Sequence, residues 1–218
     1  MVKNKRWTKE YFEKEFEHED PFHFFTSGYE QRKYKKEIGL IKNRVIPKRI
    51  LEIGCSEGTY TKILAETFPK AQIIAVEISS NAIRRAEKNL GEIKNVKLIN
   101  ADIVDYIEDF SNNFLDLIVW SECIYYIGDR LTTCQIFEFL KMIAKKLRSN
   151  GLLCMTNMIT SYNRDMFSTN TSLSEKPVME CYYLMLSSIM KAIRKSSYSD
   201  YKKEEKKSHE YQIWIFKK

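Results

Sequence analysis

The sequence predicts an α/β protein in which helices cover both faces of a mostly parallel, seven-stranded sheet with an antiparallel strand near the C-terminus. One observation is that short apolar segments alternate with segments of helical periodicity between residues 49 and 158, a pattern typical of parallel sheets. The other is a turn with Gly54 and Gly58 directly after the first apolar segment. Open parallel sheets bind ligands at this position, so the sequence predicts a fold class and the location of a site.

Ahead of this pattern, the first part of the chain is predicted to form two helices. Residues 7–19 place aromatic side chains at near-helical spacing, and Pro21 ends that segment. A second amphipathic helix follows and is predicted to end before Pro47. We therefore expect a helical cap over residues 1–46 that forms one globular unit with the main domain, residues 47–218.

Five apolar segments of strand length predict the buried strands of the sheet. They are residues 49–54, 71–79, 96–103, 115–122 and 151–159. Helical periodicity between these segments predicts helices, and a serine at position 79 or 80 is the expected cap of the second. The first two cover residues 59–68 and 79–90, and residues 141–147 close a third.

The last third of the chain is less regular. Residues 160–176 form a polar stretch that predicts a loop, and residues 178–193 predict a helix. Residues 210–218 predict a final strand with antiparallel partners, because no helix-length segment separates the last two extended stretches.

Composition indicates a globular protein without a membrane span or a disulfide framework. Hydrophobic residues make up 44% of the 218 positions, which is ordinary for a globular chain. No apolar run approaches the roughly 18 residues that span a bilayer, so we expect a cytoplasmic protein. The five cysteines are odd in number and scattered, which favours reduced thiols. The three histidines lie far apart, so no metal site is expected.

The net charge of +7 raises the question of a nucleic-acid partner. The lysines are spread along the chain among 29 acidic residues, which favours a solvated lysine-rich surface over a polyanion site. A nucleic-acid partner is the weaker interpretation, and a small molecule is the expected partner of a monomer or homodimer.

The residues of the glycine turn distinguish between two kinds of nucleotide cofactor. Glu52, Gly54 and Gly58 read as E-x-G-x-x-x-G between a strand and a helix, where glycines let the backbone turn sharply and admit a ligand. A dinucleotide site would require glycines at positions 54, 56 and 59, yet the last two are Ser56 and Thr59. The pattern therefore disfavours a nicotinamide dinucleotide.

Acidic residues follow the next two predicted strands. Glu77 ends the second strand, where its carboxylate would accept both ribose hydroxyls of an adenosyl group without phosphates. Asp102 follows the third strand and has two interpretations, an acceptor for the adenine amino group or a cap for the turn at Val104.

The tip of the fourth strand is the expected place of the reaction. Ser121 and Glu122 end this strand, and Tyr125 and Tyr126 follow them. In the usual sheet order this tip faces the reacting group of the ligand. Structural packing is the alternative interpretation of the two tyrosines.

These segments resemble the class I S-adenosylmethionine-dependent methyltransferases and, within them, the NodS-like nodulation N-methyltransferases. The resemblance rests on LEIGCSEG, VEIS, ADI, LDLIVWSECIYYI and GLL, and it covers about residues 20–158. The segment DPFHFFTSGYEQRK is similar to the family's N-terminal DPW-type segment, with Phe22 in place of the tryptophan. The resemblance implies a Rossmann-like class I methyltransferase fold for residues 47–218.

The resemblance also implies which residues bind S-adenosylmethionine and its product S-adenosylhomocysteine. Glu52, Gly54 and Gly58 would cradle the methionine part, while Glu77 would hold the ribose and Asp102 the adenine. The other expected cofactor contacts are neighbours of these residues: Cys55, Ser56, Ile78, Ile103 and Ser121.

The N-terminal segment would cover the cofactor, according to the same resemblance. Tyr29 and Arg32 are its expected contacts, and the guanidinium of Arg32 suits a carboxylate. The carboxyl-terminal third of the chain carries no recognisable part of the family pattern.

The implied reaction is an in-line displacement in which the protein mainly aligns the reacting atoms. An amine acceptor must be neutral to attack, so a base or a proton path assists it. The candidates for this role are Glu122, Tyr126, Tyr125 and His23, the last with a surface or packing role as its alternative. The leading hypothesis is N-methylation of a small amine such as an amino sugar. The alternatives are an O-methyltransferase, an RNA methyltransferase and a cofactor-binding protein without catalysis.

Overall fold

A mixed sheet with helices on both faces organises the chain, as shown by a computed structural model that describes residues 7–159, 175–203 and 206–218. Seven strands belong to this described part: β1 (Arg49–Ile53), β2 (Gln72–Glu77), β3 (Val96–Asn100), β4 (Leu115–Ser121), β5 (Leu147–Met158), β6 (Lys191–Lys202) and β7 (Lys207–Lys217). The predicted loop over residues 160–176 lies almost entirely outside the described residues.

The helices alternate with the first five strands and then precede the final hairpin. Their bounds are α1 (Lys9–Glu15), α2 (Gly28–Ile41), α3 (Thr59–Thr67), α4 (Ser80–Leu90), α5 (Ile103–Tyr106), α6 (Ile124–Arg130), α7 (Thr133–Lys146) and α8 (Glu175–Ile189). Ser79 caps α4 as the sequence predicts, because its hydroxyl accepts the N–H of Ala82 at 3.2 Å. No helix of the described part is both long and apolar enough to cross a bilayer.

The strand order is β3-β2-β1-β4-β5-β7-β6, with β1 to β5 parallel and β7 antiparallel to both of its neighbours. The order reverses direction between β1 and β4, which makes their carboxyl ends the switch point where such sheets bind ligands. The predicted fold class is therefore confirmed, including the antiparallel end of the sheet.

Each face of the sheet carries its own apolar core. One core joins the sheet to α5–α8 and includes Trp120 and Trp214, both without exposed surface. The other joins it to α2–α4 and includes Tyr34 of α2, whose ring stacks on that of Tyr60 with 4.6 Å between centroids. The cap helix α2 is thus part of the second of these two cores, together with α3, α4 and the sheet.

The predicted helix over residues 178–193 is too long at its C-terminal end. The helix stops at Ile189, and β6 begins at Lys191. The sequence of β6 has no apolar pattern that would predict a strand, because β6 is the edge strand and most of its residues are exposed or only partly buried. A strand exposed along its edge and on one face needs no apolar run. The first helix is also shorter than the predicted residues 7–19. Thr8 caps it, and it ends at Glu15.

Candidate functional site

A cavity opens at the carboxyl ends of β1, β2 and β4. The empty space in it, counted together with the open solvent at its mouth, is about 730 Å³. The loops after β1 to β4 form the floor. An aromatic roof, contributed by the N-terminal segment and by α6, covers it and consists of Trp7, Phe12, Phe16, Phe22, Phe24 and Tyr126.

The glycine turn shapes the floor. Gly54 lines the cavity with a φ of +75°, and a methyl group in its place would lie 3.0 Å from Cys123 Sγ. Gly58 has a φ of +83° and packs against α4, where a methyl group would lie 3.2 Å from the Cβ of Ala86. Both positions therefore require glycine. Gly58 does not line the cavity, so the structure places it as a support of the turn and not as a cofactor contact.

Glu77 joins the turn to the next loop. One carboxylate oxygen accepts the backbone N–H of Ser56 at 3.0 Å, and the other accepts that of Ser79 at 3.0 Å. Burial raises the pKa of Glu77, and the N–H groups bonded to it oppose that shift. The carboxylate borders the cavity beside Ile78, which lies where the sequence predicts a cofactor contact.

Asp102 caps α5, as one of its two interpretations predicts: its Oδ1 accepts the N–H of Val104. The residue also lines the cavity. Arg130 of α6 donates two further hydrogen bonds to it, at 2.6 and 3.0 Å. Arg130 also lines the cavity. No pattern in the sequence points to it, because only the folded chain brings α6 to the end of β3. Ile103 lines the same wall.

Glu122 follows β4 with a φ of +60° and turns its buried carboxylate inward. Oε1 accepts a hydrogen bond from Lys33 Nζ at 2.9 Å, and Oε2 accepts from the Tyr125 hydroxyl at 3.0 Å and from the Met158 N–H at 3.2 Å. Lys33 also lies 2.6 Å from Glu30 and has no exposed side-chain surface. Burial alone would lower the pKa of Lys33, but Glu122 and Glu30 hold it well above its usual range.

A smaller recess adjoins the main cavity and shares Gly54, Ser121 and Glu122 with it. Glu52, Cys55 and the rings of Tyr34 and Tyr60 are among its other walls. Burial raises the pKa of Glu52 to about 8, although a hydrogen bond from Thr61 opposes the shift. Its buried Oε2 accepts no hydrogen bond from the described residues.

A second buried acid, Glu37 of α2, lies behind this recess. The Ser121 hydroxyl donates a 3.1 Å hydrogen bond to its Oε1. Burial raises its pKa to about 7. Neither Lys33 nor Glu37 stands out in the sequence, because both are charged residues on a helix with ordinary charged surface positions around them.

Tyr29 and Arg32 of α2 lie outside both the cavity and the recess. Tyr29 is buried against the β7 residues His209 and Tyr211, at 5.8 Å between ring centroids, and Arg32 pairs with Asp200 of β6 at 2.9 Å. Three other residues of the same helix are the ones that reach the site: Tyr34 lines the recess, Lys33 bonds to Glu122 and Glu37 bonds to Ser121. The structure thus does not support Tyr29 and Arg32 as cofactor contacts.

His23 is exposed and lines neither the cavity nor the recess. Tyr126 does line the cavity, where its ring packs on Trp7 with 4.7 Å between centroids and on Phe12 with 5.3 Å. Tyr125 instead reaches the cavity indirectly, through its hydrogen bond to Glu122. Phe22 is a roof residue, so the N-terminal segment covers the cavity as the sequence predicts.

The family model of nodulation protein S (NodS) matches residues 4–165. This chain belongs to the NodS family. The resemblance seen in the sequence, to NodS-like members of the class I S-adenosylmethionine-dependent methyltransferases, is thereby confirmed. Within the family, nodulation protein S of Bradyrhizobium diazoefficiens is 27% identical over 117 residues, which cover 54% of each chain.

One solved structure and one further curated relative are also similar to this chain. N-methyltransferase NodS from Bradyrhizobium japonicum WM9, solved with S-adenosylhomocysteine, has a TM-score of 0.74 at 19% identity and covers 96% of this chain and 97% of its own. A malonyl-[acyl-carrier protein] O-methyltransferase of Legionella pneumophila is 32% identical over 132 residues, or 58% of this chain and 44% of that protein. The chain thus spans about half the length of the curated relatives it matches.

The residues of the site fit S-adenosylmethionine. Glu52 lines the recess and has a buried oxygen that accepts no hydrogen bond from the described residues, and such an oxygen suits the ammonium of the methionine part. Glu77 stands at the cavity edge for the ribose hydroxyls, and Ile78 and Ile103 offer apolar surface for the adenine. Between them, Gly54 lines both the cavity and the recess, with no side chain of its own to occupy either.

Proposed function

We propose that this protein is an S-adenosylmethionine-dependent methyltransferase that methylates the nitrogen of a small amine such as an amino sugar. The observation that carries the proposal is the placement of Glu52 and Glu77 on either side of the Gly54 turn, Glu52 bordering the recess and Glu77 the cavity that adjoins it. That arrangement offers carboxylates to the ammonium and to the ribose hydroxyls of the cofactor, and it offers no cationic cradle for phosphates.

When bound, S-adenosylmethionine supplies an electrophilic methyl group on a positively charged sulfur. The chain holds the cofactor through Glu52, Gly54 and Ser56 around its methionine part, and through Glu77 and Asp102 at its ribose and adenine. The aromatic roof excludes water from the space above them. The face of the Tyr126 ring also stabilises positive charge near the fourth strand.

Glu122 is proposed to bind the acceptor as a countercharge for its ammonium. The Lys33 ammonium and the donors Tyr125 and Met158 engage both carboxylate oxygens and fix the position of the carboxylate. A carboxylate held in place in this way anchors a cationic nitrogen. It orients the nitrogen toward the methyl carbon, and alignment is the main contribution required of the protein.

O-methylation of a carboxylate is the second candidate, favoured by the 32% identity to the malonyl-[acyl-carrier protein] O-methyltransferase of L. pneumophila. The charges of the site argue against it. An anionic acceptor would approach Glu122 and Glu77, while the one cationic group that lines the cavity within the described residues, Arg130, is already paired with Asp102. Like charges in a shared site disfavour binding.

Calorimetric titration tests the cofactor part of the proposal. Wild-type protein should bind S-adenosylmethionine and S-adenosylhomocysteine, and Glu77→Ala should lose that binding. Glu138→Gln, an exposed change on α7, is the matched control and should bind like the wild type. Absence of binding to the wild type would refute the proposed cofactor.

An acceptor screen tests the reaction. Amino sugars and other primary amines, carboxylates and a short RNA are incubated with the cofactor, and methylated products are detected by mass spectrometry. Methylation confined to amines supports the proposal. Methyl esters or methylated RNA would replace it with the corresponding alternative, and cofactor binding without any product would indicate a non-catalytic protein.

A further inference from the structure

We propose that Ser121 and Glu37 form a path that removes the proton of the acceptor amine, with Glu37 as the final proton acceptor. The inference rests on the proposed function, because the path is needed only if the acceptor is an amine. Ser121 ends β4 and lines both the main cavity and the recess. Its hydroxyl donates a 3.1 Å hydrogen bond to Glu37 Oε1. One hydroxyl therefore connects the cavity to an acid buried behind it.

Glu37 suits this role better than Glu122, although only Glu122 lines the cavity. The oxygens of Glu122 already accept hydrogen bonds from Lys33, Tyr125 and Met158, so three donors within the protein occupy them. Glu37 has no exposed surface, and its Oε2 accepts no hydrogen bond from the described residues. Its carboxyl is therefore free to exist in the neutral form.

The environment of Glu37 matches a proton acceptor that works near neutrality. Burial raises its pKa to about 7, while the charge of Lys33 and the hydrogen bond from Ser121 oppose the shift. General bases are most effective when their pKa lies near the working pH. The titratable and charged groups that act on it from α2, α3, β1, β5 and β7 are Lys33, Tyr34, Tyr60, Glu52, Cys154 and Tyr211.

The path consists of two proton transfers in the same direction, from the acceptor nitrogen to Ser121 and from Ser121 to Glu37. The ammonium of the acceptor gives one N–H proton to Ser121 Oγ, and Ser121 gives its hydroxyl proton to Glu37 Oε1. The nitrogen keeps the electron pair of the broken N–H bond and can then form the new bond to carbon. Glu37 becomes neutral and the Ser121 hydroxyl is restored. After product release the proton returns through Ser121 to water at the cavity mouth.

Infrared spectroscopy of the unliganded protein tests the acid without any turnover, because a protonated carboxyl has its own carbonyl band. At neutral pH, Glu37→Gln should remove one such band, and Ser121→Ala should shift it, since the carboxyl loses its hydrogen bond. The band should disappear as the pH is raised through neutrality. A spectrum of Glu37→Gln identical to that of the wild type would overturn the proposal.

The pH profile of kcat tests the path in the reaction, with an amine that the acceptor screen shows to be methylated. Glu37→Gln should lower kcat about a hundredfold, the lower end of general-base effects, and should abolish the ionisation near neutrality. Ser121→Ala should reduce kcat similarly, and the double variant should lose little more. S-adenosylhomocysteine should bind Glu37→Gln like the wild type, and Glu138→Gln should keep the wild-type kcat.

The outcomes separate the two proposals. If Glu37→Gln methylates the amine with the wild-type rate and pH profile, the path is wrong and the proposed function stands. If the wild type methylates none of the amines, the proposed function fails and the path fails with it.

Discussion

Lys33 and Glu122, which are 89 residues apart in the sequence, form a buried ion pair with 2.9 Å between Nζ and Oε1. Lys33 belongs to the cap helix α2, whereas Glu122 follows β4 at the floor of the cavity. Glu30 pairs with the same ammonium at 2.6 Å. The N-terminal segment therefore contributes to the electrostatics of the site as well as to its roof.

Removal of the Lys33 charge should destabilise the protein strongly. Lys33→Met leaves the carboxylates of Glu30 and Glu122 buried without their cation, and breaking such a pair typically costs about 3–5 kcal/mol. Urea unfolding measures the loss. The control is Lys35→Met, at an exposed position of the same helix, which should change the free energy of unfolding little. A loss below about 1 kcal/mol for Lys33→Met, as for a surface pair, would contradict the buried triad.

Substitution of Gly58 should destabilise the protein by more than its backbone conformation alone accounts for. With φ of +83° and ψ of 13° it is left-handed, so an alanine there pays roughly 1–2 kcal/mol. Gly58→Ala also places a methyl group 3.2 Å from the Cβ of Ala86, and this crowding should add about 1 kcal/mol or more in denaturant unfolding. The control is Gly39→Ala, at an exposed position of α2 with nothing within 4 Å, which should not destabilise the protein. A total loss below about 1 kcal/mol for Gly58→Ala would contradict the tight packing of the turn on α4.

The stability of the unliganded protein should fall with rising pH because of Glu52. Its pKa is raised from 4.5 to about 8 in the folded state, so folding favours the neutral acid. The resulting stabilisation is complete below the unfolded pKa and is lost as the pH rises through the folded value. Glu52→Gln, which stays neutral, should flatten this dependence in urea unfolding across that range. Glu66→Gln, exposed on α3, should keep the wild-type slope, and parallel curves for all three proteins would contradict the assignment.

Glu13 should hold α1, and with it the aromatic roof, in position over the cavity. Its carboxylate accepts hydrogen bonds from the N–H groups of Ser80 and Asn81 and from the Ser79 hydroxyl, which docks α1 on the N-terminus of α4. Its burial alone would raise its pKa, but these donors lower it to about 2.

Glu13→Ala should accelerate hydrogen–deuterium exchange in α1 and weaken S-adenosylhomocysteine binding about fivefold to tenfold, which corresponds to the roughly 1 kcal/mol of a lost helix cap. Glu17→Ala, at an exposed position beyond α1, is the control and should leave both measurements unchanged. Unaltered exchange in Glu13→Ala would show that the roof is held by its aromatic contacts alone.

Local patterns were sufficient for the parallel part of the fold and for the floor of the site. Buried strands must be apolar along their length, so β1, β2, β4 and β5 are visible as apolar segments. The ends of parallel strands meet at one edge, so acids after β2 and β3 were expected near the glycine turn. Glu77 and Asp102 both border the cavity there.

The roles of charged residues on helices required the folded chain. The sequence of α2 does not reveal that Lys33 and Glu37 bond to residues at the end of β4 while Arg32 pairs with Asp200 of β6. The rotation of a helix is set by its packing, and this helix is polar over most of its surface. Arg130 depends in the same way on where α6 lies.

The sequence by itself determined the strand–turn–helix order, the glycine turn and the acids that follow the strands, because each depends on neighbours in the chain. The tertiary structure alone decided which carboxylates are paired, which are buried in neutral surroundings and which face the ligand space. These properties depend on desolvation and on charges distant in sequence: Glu122 pairs with a lysine from the cap, and Glu37 bonds to a serine at the end of β4.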